Sequence, residues 1–324
     1  MTPTSEPIGT TTAAEPHRGG GRPVVVLGGT GAQGGAVARA LRRAGWRVRA
    51  LVRDPSSGRG EALAAAGVEL VPGDLGDPAS LRAAFAEAYG VFSVQPSSGQ
   101  TGSGVSDEQE VAFGLAVADA ASSAGVSHLV YSSANAVGSE PTGVGHFDSK
   151  RRVERHLATV SIATTVLRPA AFMEILMLPG TGLDRGEMSF LMRPDAPMQF
   201  IAVDDIGRVA AAVFDGGDRY AGRTLELAGD ELTGDGLARI LTRSTGRPVT
   251  YRRFPSELLD GNPLLDALAR LVDDGRLAGG ADLRYLESEF GPFLRFGQWL
   301  DGPGAAALRA ASAEGASRGG PSLR

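Results

Sequence analysis

Two stretches of this sequence hold side chains able to work on a carbonyl group. In Tyr131-Ser132-Ser133-Ala134, the hydroxyls of Ser132 and Ser133 can each hydrogen-bond a carbonyl oxygen. In His146-Phe147-Asp148-Ser149-Lys150, the spacing of four puts His146 and Lys150 on one helix face. A lysine's charge lowers the pKa of a neighbouring acid, and an imidazole suits proton transfer near neutrality. Each feature also has a plainer reading. The serines can be hydrogen-bonded residues at a strand end, His146 an ordinary helix-start residue, and Lys150 part of a solvated basic run with Arg151 and Arg152.

A third stretch binds rather than reacts. Gly28, Gly31 and Gly34 form G-x-x-G-x-x-G between the apolar run Val24–Leu27 and a helix-patterned segment. Gly28 permits a sharp turn, Gly31 a close backbone approach to a pyrophosphate, and Gly34 close packing of helix on strand. The N–H groups and dipole at the helix start then face the anion. The next apolar run ends in Val52-Arg53-Asp54. An acidic residue at this strand end accepts hydrogen bonds from the adenosine ribose of NAD, whereas an arginine suits the 2′-phosphate of NADP. Arg53 stands first, with Ser56, Ser57 and Arg59 close behind, which favours NADP(H); Asp54 turned inward would favour NAD(H). With a dinucleotide in place, Lys150 is fit to hold a ribose hydroxyl. The apolar segment after Arg168, Pro169-Ala170-Ala171-Phe172-Met173, is then fit to lie against a nicotinamide ring, although Phe172 and Met173 equally suit a core.

The elements that must position these residues alternate regularly. Strands are expected at Val24–Leu27, up to Val52, and over Val68–Val71, Val91–Val94, Val126–Ser132 and Ile162–Leu167. Helices follow Gly34 and span Glu61–Ala66, Asp77 to about Ala88, Asp107–Ala124 and His146–Val160, with Asp77-Pro78 as N-cap and first turn. Six such alternations predict an α/β fold, a doubly wound parallel Rossmann sheet with its ligand at the carboxyl ends of the strands. The Gly- and Ser-dense loop Gln95–Ser106 lies at those ends. Beyond Arg168 the pattern loosens. Short strands at Met188–Met192, Gln199–Val203, Thr224–Ala228 and Val249–Arg253 mix with helical stretches at Asp205–Phe214, Leu237–Thr245, Glu257–Leu271 and Asp282–Phe290. This reads as a small C-terminal α/β substrate lobe, a few of whose strands return to the sheet. The expected organisation is a disordered tail over 1–21, a binding domain over 22–302 (core about 22–168, lobe about 169–302), and a tail over 303–324 that opens with helix.

Composition removes several function classes. There is no cysteine, hence no disulfide and no thiolate chemistry, and the four histidines lack a metal-ligand spacing, so no metal is expected. The net charge of −5 gives no nucleic-acid footprint. No stretch is apolar over the length of a membrane span, and a cytoplasmic location is the default expectation.

Several motifs in register resemble the NmrA-like family, atypical members of the short-chain dehydrogenase/reductase superfamily. They are VLGGTGAQGG at 26–35, ALVRDP at 50–55, GVELVPGDL at 67–75, YGVFSV at 89–94, HFDSK at 146–150, LRPAAFME at 167–174 and VDDIG at 203–207. The resemblance covers about Pro23 to Leu300 and implies a Rossmann fold with NADP(H) as the usual dinucleotide. It implies that Thr30, Ala32 and Gln33 join the pyrophosphate turn and that Asp74 and Leu75 flank the adenine. Ser93, Val94 and Gln95 would line the cofactor channel, while Lys150, Pro169, Ala171 and Phe172 approach the nicotinamide. The superfamily's Tyr-x-x-x-Lys stands here as His146-x-x-x-Lys150, which makes His146 the candidate acid. Two functions fit the resemblance. One is an NADPH-dependent reductase of a small conjugated carbonyl or quinone. The other is a non-catalytic sensor of the NADPH/NADP⁺ ratio that regulates a protein partner. An oligomer is compatible with either.

Overall fold

Alternation along the first strand already divides the molecule. Val24 and Val26 pack into one hydrophobic core and Val25 and Leu27 into another, on opposite faces of the sheet. The structure is a computed structural model that describes residues 18–100 and 102–313. Its elements run β1 (Val24–Val26), α1 (Ala32–Arg43), β2 (Val48–Val52), α2 (Gly58–Ala65), β3 (Glu69–Pro72), α3 (Pro78–Phe85), β4 (Gly90–Ser93), α4 (Asp107–Ser123), β5 (His128–Ser132), α5 (Gly145–Leu157) and β6 (Ala163–Pro169). The lobe adds β7 (Ala171–Phe172), β8 (Glu187–Phe190), β9 (Met198–Ile201), α6 (Val203–Gly216), β10 (Thr224–Leu227), β11 (Asp230–Leu232), α7 (Gly234–Thr245), β12 (Thr250–Arg253), α8 (Ser256–Asp260), α9 (Pro263–Asp273), α10 (Leu283–Phe290), α11 (Phe296–Asp301) and α12 (Ala305–Ser312).

The main sheet is parallel throughout, in the order β3-β2-β1-β4-β5-β6-β10. The order reverses beside β1, so the crevice between the ends of β1 and β4 is where such a sheet binds its ligand. Local sequence sets the helix starts. Asp77 caps α3 by accepting from the N–H groups of Ala79 and Ser80, with Pro78 in the first turn, and Ser106 and Gln109 form a capping box on α4.

The lobe departs from expectation in three places. Of its strands only β10 joins the main sheet; β7, β9 and β11 form one small sheet and β8 and β12 another, over a third hydrophobic core. The helical stretch read over Glu257–Leu271 is two helices, because Asn262 caps a fresh start by accepting from the N–H groups of Leu264 and Leu265, with Pro263 at its first position. Finally, the helix expected to open the C-terminal tail, α12, is part of the lobe, with Leu308 and Ala311 buried in its core. Of the disordered tail expected over 1–21, Arg18–Gly21 forms a short 3-10 turn, while residues 1–17 and 314–324 lie outside the described residues. Among the described residues no helix is long and apolar enough to cross a membrane.

Candidate functional site

The carboxyl ends of β1, β2, β3 and β4 enclose a groove of about 610 Å³. Its floor is the glycine turn. Gly28 adopts φ +64°, and a Cβ on Gly34 would sit 2.3 Å from the Gly28 carbonyl oxygen, so no side chain fits there. Helix α1 starts at Gly31 with no side chain capping it, which leaves its first N–H groups facing the groove for an anion. Thr30, Gly31, Ala32 and Gln33 line this end, Arg53 and Arg59 the β2 end, and Asp74, Leu75 and Phe113 a third side, with Val94 and Gln95 along the wall. The donor set, a bare helix N-terminus with two guanidiniums one strand away, matches a dinucleotide that carries an extra phosphate. Asp54 is not among the lining residues. Its carboxylate accepts from the Ser56 N–H at 2.9 Å and the Ser56 hydroxyl at 2.6 Å, bonds that hold its pKa below the usual carboxylate value.

Ser93 corrects the sequence reading. It is 2% exposed and absent from the groove wall, because its hydroxyl lies beneath the chain and accepts from Gln95 Nε2 at 2.7 Å. It supports Gln95 instead.

A second cavity of about 670 Å³ adjoins the groove, with Gln33, Val94, Gln100 and Phe172 lining both. Most of its wall is apolar: Pro169, Ala170, Ala171, Phe172 and Ile175 from the segment after β6, Phe190, Leu191 and Met198 from the lobe strands, Leu268 from α9, and Leu277. The polar groups gather at one end, where Ser132, Ser133, Asn135, His146 and Lys150 meet. Strand β5 delivers the serines and α5 the histidine and lysine. All four residues read as catalytic therefore line one cavity.

Their environments differ from expectation. Gln33 Nε2 donates to Ser132 Oγ at 2.5 Å, tying that serine to the glycine turn. Ser133 Oγ is buried and has no hydrogen-bond partner among the described residues, although the Ser133 N–H donates to Leu167 O at 2.7 Å. Asn135 Nδ2 donates to the Leu277 carbonyl at 3.2 Å and so fastens the lobe to the sheet. His146 packs on Phe147 with ring centroids 4.1 Å apart, and Gly99 of the 95–106 loop lies so close that a Cβ there would be 2.7 Å from its ring. This burial, with the charge of Lys150, pushes its pKa down to about 4. The ring is neutral near pH 7, which corrects the assignment of His146 as the acid: it holds no imidazolium proton to deliver. Tyr131 does not take that place either. It is 1% exposed in the core behind the sheet, and burial with the carboxylates Glu110 and Glu154 raises its pKa well above the usual value.

Lys150 is not solvated. Its Nζ donates to Glu110 Oε1 at 2.5 Å and to the His146 carbonyl at 3.2 Å. Glu110, with Asn135 and Phe113, escaped the sequence reading. The available signal was a glutamate on the face of α4 that repeats at Gly114, which is a helix-contact face rather than a solvated one. Among the described residues no group of three acidic or histidine side chains converges on a metal position.

The NmrA-like family profile matches residues 22–272. The chain belongs to the NmrA-like family. The oxidoreductase malD of Malbranchea aurantiaca, an NmrA-like family domain-containing protein, is 30% identical over 285 residues, spanning 81% of this chain and 85% of that one. Among solved structures, NmrA, a negative transcriptional regulator crystallised with NAD, superposes with a TM-score of 0.74 at 20% identity, covering 89% of this chain and 97% of its own. The NADPH-dependent quinone oxidoreductase QOR2 of Escherichia coli, crystallised with NADPH, gives a TM-score of 0.69 at 25% identity, covering 86% and 98%. In this NmrA-like protein the family's motifs fall on the two adjoining chambers: the glycine turn and ALVRDP on the groove, HFDSK and LRPAAFME on the cavity.

Proposed function

We propose that this NmrA-like protein is an NADPH-dependent reductase of a small, apolar, conjugated acceptor such as a quinone or enone. The observation that carries this reading is that the two chambers adjoin: Gln33, Val94, Gln100 and Phe172 border both. Related proteins named as oxidoreductases support the reaction class. NADPH, when bound, supplies a hydride. The chain's own residues do the rest. The uncapped start of α1 and the glycine turn hold the pyrophosphate, and Arg53 with Arg59 holds the 2′-phosphate. Phe172 and the apolar wall exclude water from the acceptor. The Ser133 hydroxyl, buried and unpartnered among the described residues, donates to the acceptor's oxygen and anchors it beside Lys150.

The acceptor class follows from the polar end of the cavity. Neutral His146 and core-buried Tyr131 leave neither an imidazolium nor a phenol poised to protonate an alkoxide. A conjugated acceptor yields a resonance-stabilised, weakly basic oxyanion and needs no strong acid at the moment of hydride arrival. The alternative of a non-catalytic sensor leaves this apolar cavity without a role. The test is NADPH oxidation by the purified protein across quinones, enones and aldehydes, alongside Lys150→Ala. Saturable turnover with quinones or enones, reduced at least tenfold in the variant, is expected. Tight NADPH binding with no turnover on any acceptor would favour the sensor.

A further inference from the structure

Lys150 is the only lysine in the chain; every other member of its 32 lysine and arginine residues is an arginine. A sequence that uses arginine at all its other cationic positions keeps an amine at this one. The two are not interchangeable: an ammonium is a compact point charge with three rotatable donors, a guanidinium a planar fork. The packing shows why the compact group is needed. Helices α4 and α5 lie so close that a Cβ on Gly114 would stand 2.5 Å from Val153 Cγ2. One turn earlier along the same seam, Glu110 meets Ser149 and Lys150. Glu110 is 1% exposed; Oε1 accepts from Lys150 Nζ at 2.5 Å and Oε2 from the Ser149 hydroxyl at 2.7 Å. Both carboxylate oxygens are thus engaged. Two of the three ammonium donors are also engaged, one by Glu110 and one by the His146 carbonyl, which leaves one for the cavity that Lys150 lines.

We propose that Glu110 is the positioning residue of this site: it holds the sole lysine as a charge-neutralised ammonium with one N–H presented to the bound dinucleotide. The inference rests on the proposed function and on the nicotinamide end of the bound NADPH reaching Lys150, which lines the cavity and not the groove. Nothing else near the ammonium replaces Glu110. From α4 the other acidic groups are Asp107, which accepts from the Ser98 hydroxyl, Glu108, which is paired with Arg152, and Asp119, which is paired with His156; from α5 there are neutral His146, Asp148, which is bound to the Thr142 and Gly143 N–H groups, Glu154, which is paired with Arg168, and the cations Arg151, Arg152 and Arg155; from β5 there is un-ionised Tyr131. With Glu110 made neutral, the ammonium is a buried charge without its partner and sheds its proton as pH rises.

The test is NADPH affinity by fluorescence at pH 7 and pH 9 for the parent, Glu110→Gln, Ser149→Ala and Lys150→Met, with thermal unfolding recorded for each. Glu110→Gln keeps the shape and loses the charge. It is expected to bind NADPH about tenfold more weakly at pH 9 than at pH 7, beyond any change in the parent, while Lys150→Met is weak at both. Glu110→Gln with the parent's pH dependence, beside a weak Lys150→Met, would overturn the role of Glu110 and leave the cofactor site standing. Parental affinity in Lys150→Met would overturn both this inference and the assignment of Lys150 to the cofactor. A second readout needs no turnover and survives a poorly folded Glu110→Gln. Because there is one lysine, acetic anhydride labelling followed by mass spectrometry reports on Lys150 alone once the N-terminal peptide is set aside. Ser149→Ala, which unties one oxygen of Glu110, is expected to label Lys150 severalfold faster than the parent, with NADPH protecting it. Labelling at the parent's rate would count against the tether.

Discussion

The groove and the cavity share a wall, yet they are built by opposite means. The groove is a backbone device. Its floor comes from contiguous chain between β1 and α1, the key positions there are glycines, and the bonding groups of that end are N–H donors at a helix start, with Arg53 and Arg59 added from the end of β2. The cavity is a side-chain device. Its walls come from β5, α5, the segment after β6, α9 and the residues around Leu277, drawn together across 145 sequence positions from Ser132 to Leu277. Backbone devices tolerate almost no substitution at a few points, because a Cβ against a carbonyl oxygen has nowhere to go. Side-chain devices tolerate more, and can change ligand without disturbing the cofactor half. The same scaffold can in this way keep one cofactor and vary the acceptor.

Substitutions in each half separate the two. The largest effect is expected from Gly34→Ala, whose Cβ would press to 2.3 Å from the Gly28 carbonyl oxygen; NADPH affinity should fall more than about a hundredfold, measured by fluorescence titration. Arg53→Ala comes next. Loss of a charge-assisted contact to the 2′-phosphate, roughly 1.5–3 kcal/mol, should weaken NADPH by about ten- to a hundredfold and leave NADH nearly unchanged. Equal affinity of the variant and the parent for NADPH would remove Arg53 from the groove's function. Ser133→Ala tests the cavity. It should lower kcat/KM for a carbonyl acceptor by about threefold to tenfold with no change in NADPH affinity, and an effect on cofactor binding would break the division between the chambers.

The smallest effect concerns acid stability. His146, with its folded pKa at about 4 against an ordinary 6.5, stays neutral while the unfolded chain takes up a proton. Its stabilising contribution is therefore complete above pH 6.5 and is lost as pH falls from 6.5 towards 4, at most about 1.4 kcal/mol per pH unit. His128, buried at the start of β5 with its pKa also near 4, adds in the same direction. Urea unfolding at pH 7 and pH 5 should show the parent losing more stability than His146→Gln.

The contrast also explains what could be read from the sequence. The sheet, its helices and the groove were legible because each depends on local signals: alternating apolar runs, Asp77-Pro78, and glycines at spacings that a turn demands. Arg53 was legible for the same reason, as the first residue past a strand. Ser93 misled because strand alternation places it inward under Gln95, and sequence proximity to a channel does not show which way a side chain faces. His146 misled because its pKa is set by burial, in a place where Gly99, remote in sequence, closes over the ring, and by the charge of Lys150. Glu110 was invisible because only the approach of α4 to α5 makes it Lys150's partner. The lobe was least legible: its strands are two to four residues long and all but β10 pair outside the main sheet.

The central claim is that hydride passes from the groove into the cavity. The most direct measurement uses NADPH deuterated at the transferring position of its nicotinamide, an enone acceptor, and mass spectrometry of the product. The account predicts deuterium at the carbon β to the carbonyl, with transfer sharply reduced in Leu268→Trp, which fills the cavity, while NADPH affinity stays at the parent's value. Tight NADPH binding with no deuterium delivered to the enone and no NADPH oxidation with a panel of quinones would contradict it.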